Sequence, residues 1–441
     1  MKTNSMSLFK LDGLTNWFIY ITTILVLSLT LIMCWWLSFQ EVSIFQTIAI
    51  ITKIITIILI VVWGIVISIN AYYTSKLSLA VGQSVLTQII SGIMERKQNT
   101  KIGINYTETN PEELVDKRFY QAIEHLGHEK IETRFAAIYE LERIARDFPK
   151  HHWTIMEILA AFVRQNASAY DKDADNLSAK IPTDIQTALT VIGRRNTLFD
   201  LPKKKLDLRD INISGADLME ADLSGAILTG ANLQWVNLIG ADLSGADLTE
   251  ANLCGAVLYE ANLRKAIFAE ANLQEAVLRK VNLSKAVLYE ADLQGAILYD
   301  ANLQGAILEN ANLEAAILCD TNLEAANLEG SNLVGANLIG SNLQGAKMIG
   351  ANLEAVLFST ANLQQANLYE ANLEQANFYE ANLQDTILTG TNLKQAIFQK
   401  ARIFGADMTR CENLDLQQLE LAFGDRTTVL PETLEIPETW C

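Results

Sequence analysis

The chain has 441 residues, half of them hydrophobic, and a formal net charge of −17 at pH 7. Its length predicts two or three domains. Its acidity argues against general affinity for nucleic acid, which depends on neutralising phosphates with lysine and arginine. The cysteines are scattered, and no two have the spacing of metal ligands, so we interpret them as reduced thiols. They are Cys34, Cys254, Cys319, Cys411 and Cys441.

Two apolar runs predict a two-helix transmembrane hairpin within residues 1–76. Residues 17–37 carry no charge and would reach about 31 Å as a helix, enough for a bilayer core of roughly 30 Å. The second run covers about residues 54–73. Lysine and arginine flank the pair on its outer sides, which predicts that both termini are cytoplasmic. A signal peptide and a buried soluble hairpin are the alternatives, although the first run is long for a signal peptide.

Residues 77–110 are predicted to form a juxtamembrane helix and a polar linker. Leu79, Leu86 and Ile93 recur every seven residues, but two heptads are fewer than a coiled-coil pattern needs. A plain helix that continues from the membrane is therefore the simpler interpretation.

Four amphipathic helices are predicted within residues 111–197. Pro111 opens the first helix, Pro149 ends the second, and Pro182 precedes the fourth, which stops at Gly193. Short helices in antiparallel order indicate either a small α-helical bundle or a HEAT-like stack. The sequence does not distinguish between these two arrangements.

All four histidines fall in this helical segment. His125 and His128 are close to a helix end, and His151 and His152 are at a helix start. No cysteine is near them and no HExxH pattern is present, so we interpret them as solvated or capping residues. The sequence predicts no metal site, no cofactor and no catalytic residue.

From Leu206 the sequence follows a five-residue period. The third residue of each unit, which we call its centre, is Leu, Ile, Phe or Met at every position from Leu208 to Met408, which makes 41 units. The residue two before the centre is usually Ala, and the residue between them is commonly Asn or Asp. A straight helix or strand would expose many of these centres, because a five-residue step changes the face. The period therefore predicts a solenoid that turns a corner once per unit, with Asn and Asp suited to the turn.

Stretches such as ADLSGADLTEANLCGAVLYEANLRKAIF carry a clear family resemblance. Residues 206–410 resemble the pentapeptide-repeat family, whose pattern is A(D/N)LXX. The resemblance implies a right-handed quadrilateral β-helix with four units per coil, and hence a rod roughly 50 Å long. The expected fold class is mainly β, with the transmembrane hairpin and a small α-helical domain preceding the β-helix.

Residues 411–441 resemble the tails that follow such repeats, and they are predicted to cap the last coil. Asp415 is expected to start a short helix that runs through Ala422. The side chains expected to cover the coil are Leu419, Phe423 and Trp440.

The second residue after each centre is predicted to face outward, and residues twenty apart are predicted to stack. Residues 206–410 contain 25 acidic and 11 basic side chains. The surface charges are interpreted either as a protein-docking face or as groups that only keep the rod soluble. One predicted acidic column consists of Glu250, Glu270 and Glu290. A predicted basic island on two adjacent faces consists of Arg264, Lys265, Arg279, Lys280 and Lys285.

The order of segments resembles that of membrane-anchored pentapeptide-repeat proteins of cyanobacteria, which implies a bacterial plasma or thylakoid membrane. The sequence predicts a non-enzymatic, membrane-anchored scaffold or protein-interaction module. Its expected partner is an unidentified protein and not nucleic acid, and a homo-oligomer is left open. The alternative is a regulator or inhibitor of a soluble enzyme, such as a DNA-mimicking gyrase-binding protein. Glycines that break the acidic columns, together with the basic island, argue against DNA mimicry.

Overall fold

The computed structural model describes residues 111–167 and 181–437 together with Trp440. From about residue 207 the chain forms a ladder of single-residue parallel β-bridges. The helices are α1 (Pro111–Leu126), α2 (Ile131–Asp147), α3 (Pro149–Ala167), α4 (Thr183–Gly193) and α5 (Leu416–Leu419), with a 3-10 turn at Thr197–Phe199.

The predicted multi-pass membrane location is corrected by the structure. Within the described residues, no helix is long and apolar enough to cross a bilayer. The predicted spans, about residues 17–37 and 54–73, and the predicted segment 77–110 lie outside the described residues. The cytoplasmic placement of both termini depended on those spans and is withdrawn with the location.

The N-terminal helices pack against consecutive neighbours, α1 on α2, α2 on α3 and α3 on α4, and α2 also contacts α4. Apolar residues three or four apart form the inward face of each helix; Ile138, Leu141 and Ile144 of α2 are fully buried. Between α2 and α4, Arg134 donates to the buried carboxylate of Asp184 at 2.7 Å. This ion pair gives the buried charge a partner in place of water.

Each coil of the repeat rod comprises twenty residues, since the bridges join residues twenty apart, such as Asn212 and Asn232. Four bridges per coil define four sides. Every centre from Leu208 to Met408 is at most 2% exposed, and the small residue two before each centre is also buried. Two inward side chains per unit therefore fill the rod with a continuous core.

The corners of the rod are tight turns formed by the two residues after each centre. The second corner residue has a positive φ, for example 70° at Gly215 and 57° at Glu250. The next amide donates to the carbonyl of the centre, as Ala216 does to Ile213 at 3.0 Å. This is type II turn geometry, which explains the frequent glycine at the second corner position.

Asn or Asp lies in the bridge immediately before most centres, and its side chain stabilises the turn from outside it. Asn212 Oδ1 accepts the backbone N–H of Ser214 at 3.2 Å, at the start of the corner. From the next coil, Asn232 donates its side-chain amide to the same oxygen at 3.0 Å. One side chain therefore supports a turn and also joins two coils.

Helices α3 and α4 cover the first coil and pair its backbone groups. The carbonyl of Ala167, at the end of α3, accepts from Asn212 N–H at 2.7 Å, and the carbonyl of Gly193, at the end of α4, accepts from Asp222 N–H at 2.8 Å. A Cβ on Gly193 would lie 2.7 Å from the Cβ of Ala221. Glycine at this position therefore permits the close approach of α4 to the coil.

Two arginines complete the cover of the first coil. Arg164 donates to the carbonyl of Asp207, and Arg195 donates to the carbonyl of Asp222. Arg195 is also held by Asp200 at 2.9 Å. The helical segment thus binds backbone groups that have no preceding coil to pair with, as the end of a solenoid requires.

At the other end, the C-terminal segment continues the ladder, with a parallel bridge between Arg402 and Phe423. Asp415 caps α5 through a capping box, but this helix is shorter than predicted. Leu419 and Trp440 are buried as expected, whereas Phe423 is 53% exposed. The prediction for Phe423 is wrong because it occupies a bridge position, whose side chain points away from the core.

Candidate functional site

The five residues of the predicted basic island lie on two corners of the rod at successive coils. Arg264, Lys265 and Lys285 share one corner, and Arg279 and Lys280 lie on the corner before it. Lys265 and Lys285 each have φ of 59° and stack in one column about 4.8 Å apart. All five are exposed except Arg279, which is partly buried.

Arg279 and Lys280 are held by neighbours on their own side of the rod. The Arg279 guanidinium lies 5.4 Å from the ring centre of Tyr299, and the Lys280 ammonium lies 5.8 Å from that of Tyr259. Lys280 also approaches Glu260 at 3.8 Å. These cation–π and ionic contacts separate the held pair from the more exposed cations of the other corner.

Glu250, Glu270 and Glu290 stack on one corner as predicted, and all three are exposed. Tyr289 donates a hydrogen bond to Glu290, and this bond, together with the carboxylate charge, raises the pKa of Tyr289. Like charges about 4.8 Å apart repel modestly in water. The column is therefore slightly unfavourable in an isolated rod.

The side of the rod between these two corners carries an aliphatic stripe. Ile267 and Ile307 are 38% and 39% exposed, and Val287 lies between them, all at the bridge position that often holds Asn elsewhere. The stripe covers three successive coils, with Ile267 and Ile307 exposed and Val287 partly buried, and Asp247 and Asn327 occupy the same column on either side of it. We call this side the mixed face, with Lys265 and Lys285 on one edge, Ile267, Val287 and Ile307 in the middle, and Glu250, Glu270 and Glu290 on the other edge.

Sequence reasoning found the charges of the mixed face but treated them as separate features and missed the stripe. The stripe could have been predicted from the sequence, because each side of the rod lies between two corners along the chain. Lys265 precedes Ile267 by two residues and Glu270 follows it by three. Once the corners are assigned, this spacing puts the two charges on opposite edges of the side that bears Ile267.

The helical histidines and the rod cysteines give no sign of catalysis. His152 is buried, with Nε2 at 3.1 Å from Asp200 Oδ1, so its interpretation as a solvated residue is wrong. Burial raises the pKa of the Cys319 and Cys411 thiols to about 11, and both thiols are therefore protonated at neutral pH. Across residues 111–167 and 181–437, no cluster of His, Cys, Asp or Glu could hold a metal ion.

The repeats of the rod match a known protein family. Residues 207–412 match the family described as pentapeptide repeats, in eight overlapping copies. HetL, a pentapeptide repeat protein involved in heterocyst differentiation regulation in the cyanobacterium Nostoc, is 40% identical over 45% of this chain and 89% of its own, with a TM-score of 0.44. QnrB1, a plasmid-mediated fluoroquinolone resistance protein, is 18% identical over 50% of this chain and 90% of its own, with a TM-score of 0.35.

Through this segment the chain belongs to the pentapeptide-repeat family. Repeats of this family resemble right-handed β-helix solenoids. The comparisons show no catalytic family. No curated protein matches the chain.

Proposed function

We propose that the rod is a non-enzymatic scaffold that binds another protein through the mixed face. The observation that carries the proposal is the aliphatic stripe, in which Ile267 and Ile307 are exposed and Val287 is partly buried. Lysine and glutamate edges of opposite charge flank Ile267 and Val287. Contiguous apolar groups with a polar rim are typical of protein-binding surfaces. The charged edges would fix the orientation of a partner, and the stripe would supply the apolar contact.

The backbone beneath the mixed face is ordered before any partner binds. Ile267 donates its N–H to Ala246 O at 2.9 Å, and Phe268 donates to Val287 O at 2.7 Å. These bonds connect the coil to both of its neighbours. A surface fixed in this way loses little conformational entropy on association, which favours a binding role.

A regulator that imitates DNA, as a gyrase-binding protein would, is the alternative function. Such a protein needs a continuous acidic surface. The glutamate column here is followed by Asn310, Gly330 and Gly350, and the opposite edge of the same side carries Lys265 and Lys285. No specific observation favours the alternative.

Crosslinking in cells followed by affinity capture of the full chain and mass spectrometry tests the proposal. The double variant Ile267→Ser/Ile307→Ser removes the centre of the stripe, and we expect it to recover at least tenfold less of the partner. The control is Ile339→Ser/Ile397→Ser, which changes one exposed isoleucine at a corner and one on another side of the rod, both away from the stripe. Equal recovery by the two variants would contradict the proposal.

A further inference from the structure

We propose that the side of the rod between the two corners of the basic island binds a short acidic segment of a partner protein. This cationic side consists of the five island residues and, stacked between their corners, Asn262, Asn282 and Asn302. It adjoins the mixed face at the corner of Lys265 and Lys285, but the inference does not depend on the aliphatic stripe. Its basis is a group of cations without acidic partners on one side of an acidic rod.

Most cations of this side are left without an ion pair. In the part of the chain that the structure describes, Lys280 is the only island residue with an acidic partner, Glu260 at 3.8 Å. The cations without one are Arg264, Lys265, Arg279 and Lys285. Further along the rod, by contrast, Lys394 binds Glu374 and Lys400 binds Glu380, each at 2.8 Å. The cationic side therefore has positive charge available for an external anion.

Lys265 and Lys285 are open to an approaching group from above and below. Their corner column continues with Gly245 one coil below and Gly305 one coil above, so no side chain stands beside either lysine in that column. Like charges about one strand spacing apart repel modestly. A carboxylate that lies against both ammonium groups would offset this repulsion.

Two further groups on this side have N–H donors without an acceptor among the described residues. Arg279 lies 5.4 Å from the ring centre of Tyr299, and its Nε is buried with no hydrogen-bond partner. Asn302 donates its side-chain amide to no protein group within the same residues, and Asn282 Oδ1 below it accepts both the N–H and the hydroxyl of Ser284, at 3.2 and 2.7 Å. A guanidinium held against a ring is preorganised for a carboxylate.

The small extent of the cationic side favours a short peptide segment over a larger anionic surface. Asp242 is one coil below Asn262 in the same column, and Asp300 is one coil above Lys280 on its corner. The cations therefore cover two coils, about 5 Å along the rod. A nucleic acid duplex or a lipid surface would extend past these limits and meet the acidic side chains. Three or four extended residues, at about 3.3 Å each, would cross the side from corner to corner.

The expected binding is weak and depends on ionic strength, because exposed ion pairs each contribute little. The net charge of −17 repels an acidic peptide when the salt concentration is low. At about 0.1 M salt the Debye length is about 10 Å. Remote acidic groups are then largely screened, whereas cations in contact with the peptide still attract it.

Fluorescence anisotropy of a labelled hexaglutamate peptide with the purified full chain, at about 0.1 M NaCl, tests the inference. We expect the wild type to bind hexaglutamate and not hexaglutamine. The variant Arg264→Gln/Arg279→Gln/Lys280→Gln should bind hexaglutamate about tenfold more weakly. It leaves Lys265 and Lys285, and with them the mixed face, unchanged.

The matched control is Lys347→Gln/Lys394→Gln/Lys400→Gln, which alters the net charge by the same amount away from the cationic side. It should change the affinity by less than about twofold, because the replaced lysines do not contact the peptide. Glutamine suits the corner positions that both variants change. The rod already has Gln304 at a first corner position and Gln365, with a φ of 57°, at a second one.

A wild-type chain that does not bind hexaglutamate would overturn the inference. Equal weakening by the two triple variants would also overturn it, because only the net charge would then matter. Binding to phosphatidylserine vesicles in place of the peptide would assign the side to lipid and overturn it as well. The proposed function is judged by capture through Ile267 and Ile307, which neither triple variant changes, so the two proposals can fail separately.

Discussion

Gln186 binds the backbone of Asp217 through both ends of its side-chain amide. Its Oε1 accepts the Asp217 N–H at 3.0 Å, and its Nε2 donates to the Asp217 carbonyl at 2.6 Å. Within the rod, a residue at this bridge position pairs its backbone with residues one coil away. A side chain of α4 thus takes the place of a coil that precedes the first one.

The substitution Gln186→Ala leaves both backbone groups of Asp217 without their protein partner. Leaving a buried polar group without a hydrogen-bond partner costs about 1–3 kcal/mol of stability. We therefore expect the free energy of unfolding to fall by about that amount. Urea denaturation followed by circular dichroism measures the change. The control is Gln304→Ala, at an exposed corner in the middle of the rod, which should change stability by less than about 0.5 kcal/mol. Equal losses would show that Gln186 has no capping role.

Adjacent residues in one unit have opposite predicted sensitivities. Leu303 is fully buried, so Leu303→Asp would bury an unpaired charge among stacked leucines and should cost several kcal/mol. Gln304 is exposed at the following corner, and Gln304→Asp should be nearly silent. Thermal unfolding of the two variants measures the difference. Similar melting temperatures would be incompatible with this register.

The ionisation of the Asp217 carboxyl group should make the stability of the fold depend on pH. Burial raises its pKa above the ordinary value, although Met219 N–H and the Asn237 side chain donate to it. A pKa that is higher in the folded state means that the ionised carboxylate costs stability at neutral pH. This cost disappears below the unfolded value of about 3.9. Asp217→Asn keeps the acceptor oxygen and should raise the melting temperature at pH 7.

At pH 3 the Asp217→Asn variant and the wild type should melt at nearly the same temperature, because the carboxyl group is then mostly protonated in both states. Melting curves between pH 3 and pH 8 test this expectation. If Asp217→Asn raises the melting temperature by as much at pH 3 as at pH 7, titration of Asp217 is not the cause of the increase.

The asparagine ladder is predicted to stabilise the rod through its donors. Asn362 donates to Asn342 Oδ1 at 3.0 Å and accepts from Gln364 N–H at 3.3 Å. Asn362→Asp keeps the acceptor oxygen but replaces the donating amide with a second oxygen, which cannot donate to Asn342 Oδ1. We expect the free energy of unfolding to fall by about 1 kcal/mol. In the control Asn302→Asp, the position accepts from Gln304 N–H at 3.1 Å and from Asn322 at 3.3 Å. Among the described residues, Asn302 has no such donation, so the control should lose less.

The five-residue period made most of the rod predictable from the sequence. A small residue and a large centre recur in every unit, and only a chain that turns once per unit buries both. Details outside the period were not predictable in this way. Val257 and Ile297 are buried, whereas Ile267 and Ile307 are exposed, although all four occupy the bridge position of their unit. The five-residue pattern does not encode this difference.

The role of the helical segment was not predictable for a related reason. The pair of Gln186 and Asp217 spans 31 residues, and neither residue is unusual in its own local pattern. The helix pattern predicts where α4 lies, but it does not predict which exposed side chain meets the edge of the first coil. Contacts of this kind depend on how two differently folded segments dock.

Site-specific photocrosslinking at Ile267 tests most directly the claim that the mixed face binds protein. A photoreactive amino acid replaces Ile267 in the full chain, the cells are irradiated, and the products are separated by size and identified. The comparison position is Ile397, which is also exposed at a bridge position but lies on another side of the rod. The account predicts a discrete crosslinked protein from position 267 and none from position 397. No product from position 267, or the same products from both positions, would contradict it.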